Sequence, residues 1–308
     1  LKIHHVAACV IAALLAVASI AFAAAPSDPV PAWAFPVNPP RHPKPKHDMS
    51  KPEHVPGSAV TFTDVQLDDP FFGADWFPAS HPPAPAVVIH GRRPNTWACG
   101  YCHLPTGQAG SEGAALTGMP ADYIIEQVKE MRDGRRRAAE PNMMPPNSMI
   151  KEARAVSMTD LKAAADYFSR LTFHSHVRVV ETDTVPKTRV GGPGSLAAIT
   201  GAGAGTEPIG ARIIEVPDDP KRYELGDFNY TETAYVPKGS IRRGETLVAS
   251  GDGAAPCRTC HGPDLKGVGM IPGLAGRSPS YLVRQLYDIQ HGTRVGPTVA
   301  PMLPESNT

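Results

Sequence analysis

The chain has 308 residues, room for about two ordinary domains. Lysine plus arginine equals aspartate plus glutamate at 30 each, so no field of one sign points to nucleic acid or an anionic membrane surface. Only 19% of residues are charged, against 34 prolines and 28 glycines, which predicts compact helices set between many turns.

Residues 1–25 read as an export signal. Lys2 opens the segment, an apolar run covers 6–22, and Ala21-Phe22-Ala23 fits a small-x-small cleavage site. An uncleaved anchor is the alternative, because 6–25 approaches spanning length. Cleavage removes Cys9 and leaves no second long apolar run. The mature chain is then expected in the periplasm, without a transmembrane segment. Residues 26–89 form a Pro-rich arm and a wrapping segment. The part up to 58, with Arg41, His42, Lys44, Lys46 and His47, reads as an extended linker unable to bury a core. The short apolar patches from 59 to 90, among them Trp76-Phe77 and Val87-Val88-Ile89, read as chain laid on the first domain.

The four cysteines beyond the signal fall in two pentapeptides, Cys99-Gly-Tyr-Cys102-His103 and Cys257-Arg-Thr-Cys260-His261. Two thiols three residues apart reach two neighbouring vinyl groups of a haem, and the histidine that follows is placed under the iron. A disulfide framework would not require histidine after each pair. A zinc site would need further soft ligands, and no other cysteine remains. The spacing predicts two covalently attached haem c groups, held by Cys99, Cys102 and His103 and by Cys257, Cys260 and His261.

A shift of 158 residues superimposes more than the pentapeptides. Leu116 and Gly118 fall on Leu274 and Gly276, and Tyr123, Gln127, Gly134 and Arg136 fall on Tyr281, Gln285, Gly292 and Arg294. Each copy predicts a helix, one opened by Pro120 and closed by Gly134, the other opened by Ser278-Pro279 and closed by Gly292 with Leu282, Leu286 and Ile289 on one face. Ser157-x-x-Asp160 predicts a capped helix over 161–171. Ser240 is read as the cap of a helix before the second motif. Between the copies, 177–180 and 212–216 look like strands, and 191–205 like a Gly/Ala-rich loop. The resulting divisions are a first haem domain at 90–173, a partly β connector at 174–239 and a second haem domain at 240–308. That second domain lacks a counterpart of the 157–171 helix, which suggests a fragment.

The sixth iron position separates electron transfer from ligand chemistry. Met302, ten residues after Gly292, is the candidate in the second copy. In the first copy the candidates are Met143, Met144 and Met149; Met149 is preferred from its spacing to the Ser157 cap, with Met144, the constant-offset match, as the alternative. Tyr123 and Tyr281 are candidates to line the two haem crevices, with plain core packing as the other reading. His90, His174, His176 and His291 could in principle give bis-histidine ligation. Arg136 and Arg294 could meet haem propionates or form a solvated basic patch.

The pattern Cys-x-x-Cys-His, Leu-x-Gly, Tyr-x-x-x-Gln, Gly-x-Arg and Met resembles class I cytochrome c domains in tandem, specifically bacterial di-haem cytochromes of the c-four type. Residues 257–267 and the 278–292 helix carry the likeness best. It extends over about 90–171 and 240–308 and leaves 26–89 and the long connector unexplained. It implies a mainly α fold: two cytochrome c-like helical domains. It also implies a periplasmic single-electron carrier with His/Met-ligated haems, not an enzyme. Its partners would be redox proteins: a dehydrogenase, an oxidase or a membrane cytochrome complex. A cytochrome subunit of a dehydrogenase complex and a di-haem peroxidase-like enzyme are the alternatives.

Overall fold

The computed structural model describes residues 29–40, 49–251, 253 and 255–303. The signal at 1–25 with Cys9, and the basic stretch at 41–47, lie outside the described residues.

Three helices build the first unit: Ala121–Arg132, Met144–Ala155 and Met158–Ser169. The last is capped as the sequence predicts, the Asp160 backbone N–H donating to Ser157 Oγ at 3.0 Å. Ile124, Ala164, Ala165, Phe168 and Leu171 form one core with Val87 and Val88 of the wrapping segment. Val128, Ala153 and Leu161 lock the three helices together. Residues 144–155, for which the sequence gives no helix signal, are helix. Pro145 stands in the first turn, where a missing N–H costs nothing, so Pro-Pro opens the helix instead of breaking it.

Ser240–Ser250 and Pro279–Gln290 are the long helices of the second unit. Ser278 caps the latter, accepting from the Tyr281 N–H at 3.1 Å. The former is capped by Gly239, in the left-handed region at φ 80°, and not by Ser240, whose hydroxyl instead accepts from Arg243. On Pro279–Gln290 the buried positions include Ser280, Arg284 and Asp288, one polar row at helical spacing, while Leu286 is 46% exposed. The expected apolar face is only partly covered.

A three-stranded sheet forms the core of the connector. Val177–Thr182 pairs in parallel with Glu232–Pro237, which pairs antiparallel with Ile214–Pro217. Two short ribbons flank it, Thr184–Pro186 with Thr206–Pro208 and Thr188–Val190 with Leu196–Ala198, and of these strands Leu196–Ala198 lies inside the 191–205 stretch read as loop. Val185, Ile209, Ile214 and Val216 close its core. The chain is helical in its two motif-bearing units and β between them, more mixed than a mainly α fold.

The Pro-rich arm does bury a core, against expectation. The Pro31 carbonyl accepts from the N–H groups of Ala34 and Phe35, and the turn inserts both residues beside Met143, Val283 and Tyr287. Ala34 and Phe35 thus join the two units, and Asn38 ties the arm to Gly192 and Gly194 of the connector. The wrapping segment likewise reaches beyond the first unit, Trp76 donating to the Leu225 carbonyl at 2.7 Å. Among the described residues no helix is long and apolar enough to cross a membrane.

Candidate haem sites

Each pentapeptide forms a single helical turn, Cys99–His103 and Cys257–His261, so its two thiols lie on one side with the histidine following. All four cysteines are unbridged, which sets aside the disulfide framework. His103 Nδ1 lies 2.9 Å from the Ala114 carbonyl, and His261 Nδ1 lies 2.8 Å from the Pro272 carbonyl. Ala114 and Pro272 are themselves 158 residues apart. A carbonyl fixes Nδ1 as the protonated nitrogen and leaves the Nε2 lone pair for a metal. Burial pushes His103 down, which keeps it in the neutral form that binds iron.

The loop beyond each histidine repeats in backbone detail. Leu104, Gly107, Ala109 and Gly118 take positive φ, and so do Gly262, Leu265, Gly267 and Gly276 at the same offset. Leu104, at φ 59° and ψ 155°, occupies the place held by glycine in the second copy, a backbone region that costs a non-glycine residue about 1–3 kcal/mol. Gly100 has a local reason. A Cβ there would stand 2.8 Å from the Val88 carbonyl and 3.5 Å from Gly73 Cα, because the wrapping segment crosses this turn. The second motif carries Arg258 at that position.

The second unit fits a large flat apolar group. Neither its Ser240–Ser250 helix nor its Cys257–His261 turn contributes a side chain to a hydrophobic cluster among the described residues. Leu247, Val268, Met270, Ile271 and Leu286 are each more than a third exposed. That much uncovered apolar side chain in one small unit implies a missing cover. A haem bound at Cys257 and Cys260 would supply it.

Between the units lies a near two-fold polar interface. Arg136 donates to Gln127 at 2.8 Å, and across the interface to the Tyr281 hydroxyl at 2.8 Å and Gln285 at 2.9 Å. Arg294 donates to Gln285 at 3.0 Å, and across to the Tyr123 hydroxyl at 3.1 Å and Gln127 at 2.9 Å. Both arginines are buried, so the solvated-patch reading fails for them. Their backbones also pair. The Arg137 N–H donates to the Thr293 carbonyl at 2.8 Å and the Val295 N–H to the Arg135 carbonyl at 2.7 Å. The acids follow the same symmetry. Asp288 accepts from the Ala139 N–H of the other unit at 2.7 Å, and Glu130, its counterpart, accepts from the Thr298 hydroxyl at 2.8 Å. Each unit thereby pins the other's loop between Gly-x-Arg and the candidate methionine. Burial lifts Asp288 to about 6. Among the described residues Arg294 Nε has no partner, an open donor suited to a carboxylate such as a haem propionate.

Tyr123 and Tyr281 therefore stand with their hydroxyls at this interface. Met302 is half-buried in a single 3-10 turn, Ala300–Met302. Met149 lies against Val128, Ala153 and Leu161 in the three-helix cluster, and Met144 begins its helix. His291 Nδ1 lies 2.9 Å from the Tyr287 carbonyl, at its own helix end. Sequence reasoning missed Asp288 and Glu130. The offset that paired the tyrosines also pairs these two acids and could have flagged them.

Solved structures similar to this chain include thiosulfate dehydrogenase (TsdBA) from Marichromatium purpuratum, at 21% identity over 72% of this chain with a TM-score of 0.47. The chain spans only 35% of that protein's length. Cytochrome c4 from Acidithiobacillus ferrooxidans matches at 20% identity, over 68% of this chain and 90% of its own, with a TM-score of 0.40. Reduced recombinant cytochrome c4 from Pseudomonas stutzeri matches at 19% identity, over 67% of this chain and 82% of its own, also at 0.40. No family model matches the chain, and no curated protein does.

Proposed function

We propose that this chain is a periplasmic c-type cytochrome with two covalent haems that passes single electrons between redox proteins. One observation carries the reading: the Cys-x-x-Cys-His turn occurs twice, each time with its histidine held through Nδ1 by a carbonyl eleven residues on. Bound haem supplies a one-electron iron couple. The chain's own residues do the rest. Cys99, Cys102, Cys257 and Cys260 attach the two groups, while His103 and His261 present Nε2 as the fifth ligand.

Met302 is proposed as the sixth ligand in the second unit, and Met149, or alternatively Met144, in the first. A thioether there closes the iron and favours the reduced state. The pinned loops support this assignment, since Thr298 is held by Glu130 and Ala139 by Asp288. A sixth ligand on a fixed loop resists displacement, which suits a carrier better than an oxygen or peroxide enzyme. Tyr123 and Tyr281, through Arg294 and Arg136, hold the two units in one orientation, so that each haem edge keeps a constant relation to the other.

The test is peptide mass spectrometry of protein expressed in a host that matures c-type cytochromes. Haem on both the Cys99–Cys102 and Cys257–Cys260 peptides is expected. Bare cysteines at either would overturn the di-haem reading.

A further inference from the structure

A second cluster of ionisable groups plays no part in attaching either haem. Glu232 is fully buried, and the Ser111 backbone N–H and hydroxyl are the hydrogen-bonding groups that approach its carboxylate. His176 Nε2 lies 3.4 Å away, and neither ring nitrogen of His176 has a hydrogen-bond partner. Glu215, from the neighbouring strand, accepts from Ser278 Oγ at 2.8 Å, Ser280 N–H at 3.1 Å and Ser280 Oγ at 2.6 Å, while its other oxygen is unpartnered. Glu112 accepts from the Tyr223 hydroxyl at 2.9 Å. Tyr230 faces the same space. Arg284, from the second unit, brings the balancing cation, its guanidinium donating to the Ala34 and Ser111 carbonyls. Glu112 and Glu215 thus face the Arg284 charge, and Glu232 faces those two carboxylates.

Two cavities of about 10 Å³ border the cluster, close to the room one water needs. The first is lined by Ser195, Glu215, Ser280 and Arg284, the second by Gln108, His176 and Tyr281. Ser195 Oγ, beside the Tyr223 hydroxyl, lines the first cavity, and Gln108 Nε2, unpartnered among the described residues, lines the second, so both offer polar contacts to water. Ser111 and Glu112 belong to the loop that runs from His103 to Ala114, the carbonyl that orients His103. The cluster is therefore one loop from the proposed ligand of the first haem.

We propose that Glu112, Glu215 and Glu232 form a redox-linked proton site for the first haem. This rests on the haem reading above. One electron arrives from a reduced redox protein and lowers the charge at the iron by one. One proton then passes from solvent through the water-sized cavities, and an O–H bond forms on a carboxylate of the cluster, so the summed charge is unchanged. Oxidation reverses both transfers.

The electrostatics favour this. Burial, then Glu215 and Glu112, hold Glu232 well above the usual carboxylate range, and burial raises Glu215 and Glu112 as well. Burial keeps His176 neutral, down at about 4, so it adds no competing charge near neutral pH. Acids lifted this way titrate closer to neutrality, where a nearby unit change of charge alters their occupancy.

The test is potentiometric titration of the holoprotein from pH 5 to 9 with the two haems resolved, together with proton uptake on reduction in weakly buffered solution. In the wild type the midpoint of the first haem should fall as pH rises, and reduction should take up protons. Glu232→Gln keeps the shape but cannot ionise. It should flatten that slope, cut proton uptake at least twofold, and leave the second haem's profile where it was. Glu112→Gln, at the half-buried member, is a second variant with the same expected direction should Glu232→Gln misfold. A flat wild-type profile for the first haem, or unchanged slope and uptake in the variants, would overturn the proposal. Loss of haem from the Cys99–Cys102 peptide, read separately by mass, would instead overturn the haem reading beneath it.

Discussion

Replacing Arg136 with methionine probes the interface most directly. The change keeps a long unbranched side chain but removes three hydrogen bonds of 2.8 to 2.9 Å. Gln127 and Gln285 each retain Arg294 as a donor, so the Tyr281 hydroxyl is the acceptor stripped of its partner. Glu130 also loses a neighbouring positive charge. Hydrogen bonds to a buried charge contribute about 1.5–3 kcal/mol each, offset by the desolvation that the arginine no longer suffers. The net expectation is about 3 kcal/mol of destabilisation. Urea unfolding of the holoprotein, followed by haem absorbance and circular dichroism, measures it. Because both arginines share Gln127 and Gln285, the double variant with Arg294→Met should cost less than the sum of the singles by about 1 kcal/mol. A cost for Arg136→Met within about 0.5 kcal/mol, as for a solvated surface residue, would refute the interface.

The buried acids give a pH dependence. Asp288 is lifted to about 6 in the folded chain from 3.8, so the native state binds the proton more tightly. Stability from this group is fully present below about 4, falls as pH rises toward 6, and is then lost, a change of about 3 kcal/mol. Asp288→Asn keeps an oxygen to accept from Ala139 and Thr293, and should flatten unfolding free energy between pH 4 and 6; an unchanged slope would count against the buried acid. Gly100→Ala should destabilise by about 2–3 kcal/mol, since its Cβ meets the Val88 carbonyl. Arg258→Ala, at the matching position of the second motif, should change stability by less than about 0.5 kcal/mol in the same unfolding assay. Equal costs at the two positions would mean that the wrapping segment does not cross the first turn.

Much of this architecture was legible in the sequence because it is written locally. The pentapeptides specify their turns, Ser157 and Ser278 specify helix starts, and the constant offset anticipates matching left-handed positions. What escaped depended on distant partners. Pro145-Pro146 stands in the first turn of a helix whose start no serine or threonine cap announces. Trp33-Ala34-Phe35 looks like linker because its pocket is assembled from Met143, Val283 and Tyr287. Arg136 and Arg294 looked like propionate partners or surface charge, and their burial needs acceptors contributed by the opposite unit. The parallel pairing of Val177–Thr182 with Glu232–Pro237 joins strands about fifty residues apart, and β-branched composition alone does not name a partner. The row of Ser280, Arg284 and Asp288 reverses the usual reading of an amphipathic helix, because its polar side faces protein and Leu286 is left exposed.

The central claim is that two haems are each closed by histidine and methionine. Optical and magnetic spectra of the holoprotein in both redox states, followed by carbon monoxide addition to the reduced form, test it most directly. The account predicts two low-spin centres with sulfur ligation and little carbon monoxide binding at either. A high-spin centre, or rapid stoichiometric binding of carbon monoxide at one haem, would contradict it and return the chain to the ligand-binding or peroxidase class.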